Sequence, residues 1–278
     1  DEAFAERCET VRASLKAALN QHGWDGGWYL QATTDDGLPL GSQHNDEGRI
    51  FLMPNIWAVI SGAADDDRAQ TAMDAVTRYL LKDYGTLLNY PAFTRPRPDI
   101  GYVTRYAPGL RENGGVYTHA ATWSVWAYTR VGQPDNAYEA YRRICPPNRS
   151  ADIDAYWAEP YVTPGNIDGP LSEYYGRGGW TWYTGSAQWL HRMATHWILG
   201  IRPQEDGLLV DPSIPAHWDG FKVTRRFRDA TYQIEVRNPE HVSRGVRAVM
   251  IDGQPQQGSL LPIFGDGAAH VVQIIMGT

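Results

Sequence analysis

Apolar residues recur at three- and four-residue spacing over several stretches of the chain, and each such stretch predicts a helix with one buried face. Phe4, Cys8, Val11, Leu15 and Leu19 mark the first over residues 1–21, and Gly23 ends it. Ile50 to Ile60 is apolar enough for a buried helix, and Asp66 to Lys82 reads as another with Ala69, Met73, Val76 and Leu80 inward. Thr118–Val131, Asp135–Ile144 and Ser186–Leu199 bring the total to six, the last stopped by Gly200.

The helical period fails in two long stretches. Residues 84–117 carry Pro91, Pro96, Pro98 and Pro108, which forbid a helix. Residues 146–180 are rich in Tyr, Gly and Pro. Loops this long in compact domains are functional or disordered. Tyr90, Phe93, Tyr102 and Tyr106 argue that the first is an ordered loop over a cleft. Trp28 to Ala32, followed by the turn signal Thr34-Asp35-Asp36-Gly37, predicts a small hairpin.

Beyond residue 200 the pattern turns strand-like, at 208–210, 221–223, 231–236, 246–251 and 271–275. The expected fold is therefore mainly α over residues 1–201, followed by a small antiparallel β-domain over 202–278. Helix pairs joined alternately by short and long connections fit a toroid whose long loops gather at one end. Six helices are half of the twelve in a closed double ring, so the chain reads as a half barrel.

Composition narrows the function classes. The net charge is -7 and no basic block appears, which excludes a nucleic-acid partner. No apolar run reaches transmembrane length, so no membrane partner is expected. The start Asp1-Glu2-Ala3-Phe4 reads as helix, neither a targeting peptide nor the natural beginning of a domain. Cys8 and Cys145 make no disulfide framework and no metal-ligand spacing; free buried thiols and a cytoplasmic setting are expected. The 11 tryptophans and 16 tyrosines cluster beside charged residues, as in a carbohydrate cleft.

Three motifs carry candidate chemistry. In Gly23-Trp24-Asp25-Gly26-Gly27-Trp28-Tyr29 a lone carboxylate sits between indoles. Trp24 and Trp28 offer flat faces to a sugar ring. A carboxyl partly buried against them is held protonated, as a general acid requires; the plainer alternative is that the aromatic residues are core and Asp25 caps a turn. In Arg111-Glu112-Asn113-Gly114-Gly115-Val116-Tyr117-Thr118-His119 the histidine enters a helix, where free N–H groups and the dipole favour an anion. In Tyr174 through Ser186, Thr184 and Ser186 offer hydroxyls and Gly185 lets the backbone approach an oxyanion.

Together and in this order the motifs resemble the C-terminal half of glycoside hydrolase family 94, the inverting disaccharide phosphorylases. Trp24-Asp25-Gly26-Gly27-Trp28, Arg111 to Gly115 with His119, and Trp180 to Ser186 carry the resemblance. Asp211-Pro212-Ser213-Ile214-Pro215-Ala216-His217-Trp218 is similar to the family's C-terminal β-region. The resemblance implies a partial (α/α)6 barrel and the family's reaction, with Asp25 as general acid and His119, Thr184 and Ser186 at the phosphate. Trp24, Trp28, Arg105, Arg111, Glu112, Tyr117 and Trp182 would line the sugar site. The expected reaction is inverting phosphorolysis of a β-linked glucosyl disaccharide to an α-sugar 1-phosphate. Phosphate is a co-substrate, and neither a cofactor nor a metal is expected.

The resemblance also implies that the family's upstream half is needed to complete the site, and a homodimer is among the assemblies it suggests. Thr94-Arg95-Pro96-Arg97 and Arg105 suit an acidic acceptor, as in cellobionic acid phosphorylases, which Tyr161 to Pro170 also resembles. Two other readings stay open. One is an inverting hydrolase on the same toroid with Glu112 or Asp168 as base; the other is an inactive, truncated sugar-binding fragment.

Overall fold

A computed structural model describes residues 1–182 and 185–277. The six expected helices form as α1 (Glu2–His22), α2 (Leu52–Ile60), α3 (Asp66–Tyr79), α4 (Thr118–Arg130), α5 (Pro134–Ile144) and α8 (Ser186–Arg192). Two short helices lie between the last two, α6 (Pro146–Arg149) and α7 (Ile153–Tyr156). The last expected helix changes pitch: α8 gives way to a π turn at Met193–Ile198 before Gly200 ends it.

Small residues set the packing of α4 against α2, α5 and α8. Ala120, Ala121, Ser124, Val125 and Ala127 are buried, so neighbouring backbones approach closely. Tyr128 reaches across to Thr77 Oγ1 at 3.0 Å and ties α3 to the same core. α1 differs. None of its residues is buried, and Phe4, Val11 and Leu15 stay more than half exposed. Its second half is fixed by polar contacts instead: Asn20 donates to Ala63 O at 2.7 Å, and Arg68 donates to Asn20 O at 2.7 Å.

The chain is mixed rather than mainly α, and its helices close no ring among the described residues. The proline-rich connections must still pair their backbone groups, and they do so in two-residue ladders. Ile50–Phe51 pairs with Asn89–Tyr90, and Val116–Tyr117 pairs with Asn166–Ile167, which pairs with Gly178–Gly179. The expected ordered loop is ordered, with Phe93 buried and a 3-10 turn at Tyr102–Arg105. Cys8 is exposed, contrary to the expectation of two buried thiols, because α1 buries no face.

The C-terminal strands are not purely antiparallel. Their five-stranded sheet runs in the order Gly220–Phe227, Ala230–Arg237, Ala269–Met276, Val246–Ile251, Gln254–Gln256, and the second and third strands pair in parallel. The hydrophobic alternation is right for either direction, so it could not reveal this pairing. A smaller sheet joins Ile201–Pro203, Leu208–Val210 and Leu260–Leu261. One contiguous apolar core runs from Tyr29 and α2 through α4 to Ile234 and Ile274. No helix is long and apolar enough to cross a membrane among the described residues.

Candidate active site

Hydrogen bonds bring the starts of α2 and α4 to one end of the molecule. Leu88 accepts from Leu52 N at 2.8 Å and donates to Gly115 O at 2.9 Å, so one residue separates the two helix entries. The Asp25 turn stands on α2: Tyr29 N donates to Asn55 Oδ1 at 2.9 Å. Asp25 N donates to Trp28 O and closes the turn. Asp25 Oδ2 accepts from Gln43 N at 2.6 Å, and Gln43 Nε2 donates back to Asp25 O. Oδ1 has no partner among the described residues. The carboxyl is thus fixed through one oxygen and open at the other, as a proton donor needs.

The two indoles of this motif have different duties. Trp24 is half-buried, with Tyr29 edge-on at 4.9 Å and Arg68 over its ring. Trp28 is only 6% exposed, and its N–H donates to Gly41 O and Arg49 O. It is a pillar under the turn and offers no open face to a sugar.

Buried asparagines hold the second motif. Asn113 accepts from Phe93 N at 2.7 Å and donates to Phe93 O and Tyr106 O. Asn89 Oδ1 accepts from Gly114 N, and Asn166 Oδ1 accepts from Arg111 N at 2.8 Å. A side chain at Gly115 would press on Arg111 O, Arg111 N and Asn166 Oδ1, all under 3.0 Å, which explains that glycine. Sequence reading missed the role of these asparagines; adjacency to Gly114 and Gly165 was the available signal for Asn113 and Asn166, and Asn89 carried none. Arg111 lies over Trp180 at 4.5 Å and Tyr106 at 5.0 Å, and its Nε sits 3.4 Å from Glu112 Oε2.

His119 lies in the first turn of α4, its ring 4.8 Å from Trp123, 6.3 Å from Trp189 and stacked on Tyr117 at 6.4 Å. Burial among these rings holds its pKa below the usual 6.5. A neutral imidazole keeps one donor and one acceptor for a ligand. Gly185, from the third motif, lies against it: a Cβ there would sit 3.4 Å from His119 Cε1. Ser186 follows in α8, buried, with its hydroxyl toward Pro164 O at 3.4 Å. Thr184 lies outside the described residues.

Among the described residues, four of the eight buried side-chain atoms without a hydrogen-bond partner belong to these motifs and the residues packed on them: Asn89 Nδ2, Thr118 Oγ1, Trp123 Nε1 and Glu112 Oε2, the last only ion-paired with Arg111. Such groups ordinarily find a protein, water or ligand partner. The remaining expected residues stand farther out. Trp182 is 72% exposed and donates to Glu159 Oε1. Arg105 is exposed over the ring of Tyr102. No hydrogen bond or ring contact joins Asp25 to His119. A cavity of about 610 Å³ opens between the hairpin and the long loop, with His44, Glu47, Arg95 and Arg97 in its walls; Asp25 and His119 are outside them. Arg97 is paired with Asp99 there. Among the described residues no cluster of three or more His, Cys, Asp or Glu could hold a metal ion.

The site thus offers an open carboxyl oxygen at Asp25 and, at the start of α4, a histidine against edge-to-face indoles. The chain belongs to the glycosyl hydrolase 94 superfamily, whose catalytic-domain family model matches residues 1–200. It is 40% identical to N,N'-diacetylchitobiose phosphorylase of Vibrio proteolyticus over 96% of this chain and 34% of that protein. It is 35% identical to solabiose phosphorylase of Paenibacillus borealis over 99% and 36%. It is 32% identical to cellobionic acid phosphorylase of Neurospora crassa over 84% and 30%. The chain thus spans about a third of the length of these relatives.

Proposed function

We propose that this chain is the acid- and phosphate-bearing part of an inverting disaccharide phosphorylase. Asp25 protonates the glycosidic oxygen from its open Oδ1. Phosphate, seated at the start of α4 by His119 with Thr184 and Ser186, attacks the anomeric carbon from the opposite face. The glycosyl C–O bond breaks through an oxocarbenium-like transition state, and an α-sugar 1-phosphate and the acceptor sugar leave. An inverting hydrolase needs a second carboxylate to activate water; phosphate is already a nucleophile. The unpartnered buried Thr118 Oγ1 and Trp123 Nε1 beside His119 carry this reading, because they add donors to the imidazole at the start of α4.

Glu112, Arg111, Tyr117 and Trp24 are read as the sugar wall, with Trp182 and Arg105 at its rim. The half-toroid, the division at residue 201, the cytoplasmic setting and any homodimer belong to the same reading. So does the need for the additional length that the relatives carry. For an acidic acceptor Arg95 and Arg105 are available, while Arg97 is taken by Asp99. The hydrolase alternative falls to Glu112, since Asp168 is buried with its oxygens held by Asn166, Ser172 and Arg177.

The test is phosphate-dependent release of sugar 1-phosphate from chitobiose, cellobiose and cellobionate by the chain extended to the relatives' length. Asp25→Asn should lower turnover by about 10²–10⁴-fold, the usual weight of a general acid. Undiminished turnover in that variant, or equal turnover without phosphate, would reject the assignment. Titrating phosphate and disaccharide into the present chain tells a binding fragment from an inert one.

A further inference from the structure

The segment Asp211–Trp218 takes no part in the site above, yet it builds a basic hollow at the opposite end of α4. We propose that this hollow binds a small tetrahedral oxyanion, either free phosphate or the phosphate group of a sugar phosphate. Arg130, Arg202 and Arg244 would hold it above Ser213.

The hollow measures about 160 Å³ and is lined by these four residues with Thr129, Trp197 and Asp211. Ligand pockets for larger molecules usually span about 300–1,000 Å³, so a disaccharide does not fit but an ion does. Arg202 is prepositioned. It donates to His196 O at 3.0 Å and Asp211 Oδ2 at 2.6 Å, and it lies over Trp197 at 4.8 Å. Arg130 comes from the last turn of α4, and the backbone bridge between Ser213 and Arg244 sets Arg244 beside the motif. Neither Arg130 nor Arg244 has a carboxylate partner among the described residues. Three guanidiniums therefore share one carboxylate, and their planar forks match the oxygens of a phosphate.

Two further observations point the same way. Ser213 is 4% exposed and its Oγ has no partner among the described residues; a bound ion is one ordinary explanation of such a hydroxyl. His196, whose carbonyl Arg202 grips, is held down to about pKa 4, by burial first and then by Arg192, Arg225, His191 and Arg202. The local field is positive.

This place is distinct from the His119 site. His119 and Arg130 are separated along α4 by roughly 16 Å at the helical rise per residue. A neighbouring cavity of about 350 Å³ shares Arg130 and Arg244 as a wall, which gives the body of a sugar phosphate somewhere to lie.

Calorimetric titration of inorganic phosphate into this chain tests the proposal, with His119→Ala as background so that the two sites report separately. Phosphate should still bind in that background. Arg130→Gln with Arg244→Gln should weaken it at least tenfold. Ser213→Ala should weaken it about threefold and leave the melting temperature unchanged, because Ser213 Oγ makes no bond to lose. Sulfate should compete. Tighter binding of glucose 1-phosphate than of phosphate assigns the sugar phosphate and the adjoining cavity; equal or weaker binding assigns the free ion. Phosphate affinity indifferent to both the arginine pair and Ser213, or binding abolished by His119→Ala alone, would overturn it. The first result leaves the phosphorylase reading untouched, since that reading rests on other residues; the second would assign all phosphate binding to His119 and so agree with it.

Discussion

His119 and His270 each lie against an aromatic ring, 4.8 Å from Trp123 in one case and stacked 3.6 Å from Phe264 in the other. Their surroundings shift their pKa values in opposite directions. His119 is hemmed by indoles with no carboxylate beside it, and burial holds its pKa down. His270 occupies an inward position of the strand Ala269–Met276, and Asp252 and Asp266 each take one of its ring nitrogens, at 2.7 and 3.1 Å. The hydrogen bond to Asp252 leads in raising its pKa, and Asp266 adds to it. A histidine whose polar atoms are both spent is structural. One left neutral, beside a glycine and several unpartnered groups, has its hydrogen-bonding capacity available to a ligand.

The largest expected contrast is between the two alanine variants. His270→Ala removes charge-assisted hydrogen bonds and leaves two carboxylates facing each other, so unfolding stability should drop by about 2 kcal/mol. His119→Ala should change stability by less than about 0.5 kcal/mol. In the chain extended to the relatives' length it should raise the phosphate needed for half-maximal turnover far more than the sugar. Urea unfolding and initial rates measure the two. Equal stability losses would erase the distinction drawn between them.

The pH dependence sharpens the same contrast. The folded-state pKa of His270 lies above its ordinary value, so its contribution is full below pH ~6.5 and is lost as pH rises through the raised value. For His119 and His196 the sign reverses. Both forms are neutral well above pH ~6.5, and no penalty exists there. As pH falls, the unfolded chain takes up protons that the folded chain resists, and stability declines; for His196 that loss is complete near its folded value of about 4. Urea midpoints from pH 4 to 9 should show both limbs. His270→Gln should flatten the alkaline one, and His196→Gln should flatten part of the acid one.

The comparison also shows what the amino-acid order makes legible. The helices emerged from spacing, and the sugar chemistry from three motifs with their glycines. His270 was legible too, since alternation aligns it with Val272, Ile274 and Met276, but the expected strand began one residue too late to include it. The carboxylates that hold it arrive from Asp252 and Asp266 by pairing across the sheet and along a turn, which no local pattern encodes. The same limit applies to Trp28 and Trp182. Both sit beside glycine-rich motifs, and only tertiary packing decides that the first is a buried pillar and the second faces solvent. The exposed stripe of α1 is a third case: periodicity predicted a buried face, but no neighbouring element covers it here.

The smallest expected effect comes from Gly185→Ala. The backbone of Gly185, at φ −77 and ψ 2, is open to any residue, so no strain accompanies the change. Alanine is a poorer N-cap than glycine, which costs α8 about 0.5–1 kcal/mol. The added methyl would meet His119 Cε1 at 3.4 Å and Nδ1 at 3.8 Å, ordinary van der Waals contact. It would nonetheless occupy the space beside the imidazole where an oxyanion approaches. Phosphate affinity, measured by calorimetry on this chain, should fall about three- to tenfold while the far-ultraviolet circular dichroism stays the same. Since the methyl touches no group of the sugar wall, sugar binding should be unaffected. A parallel loss of sugar and phosphate binding would mean that Gly185 supports the whole cleft instead of shaping one anion seat.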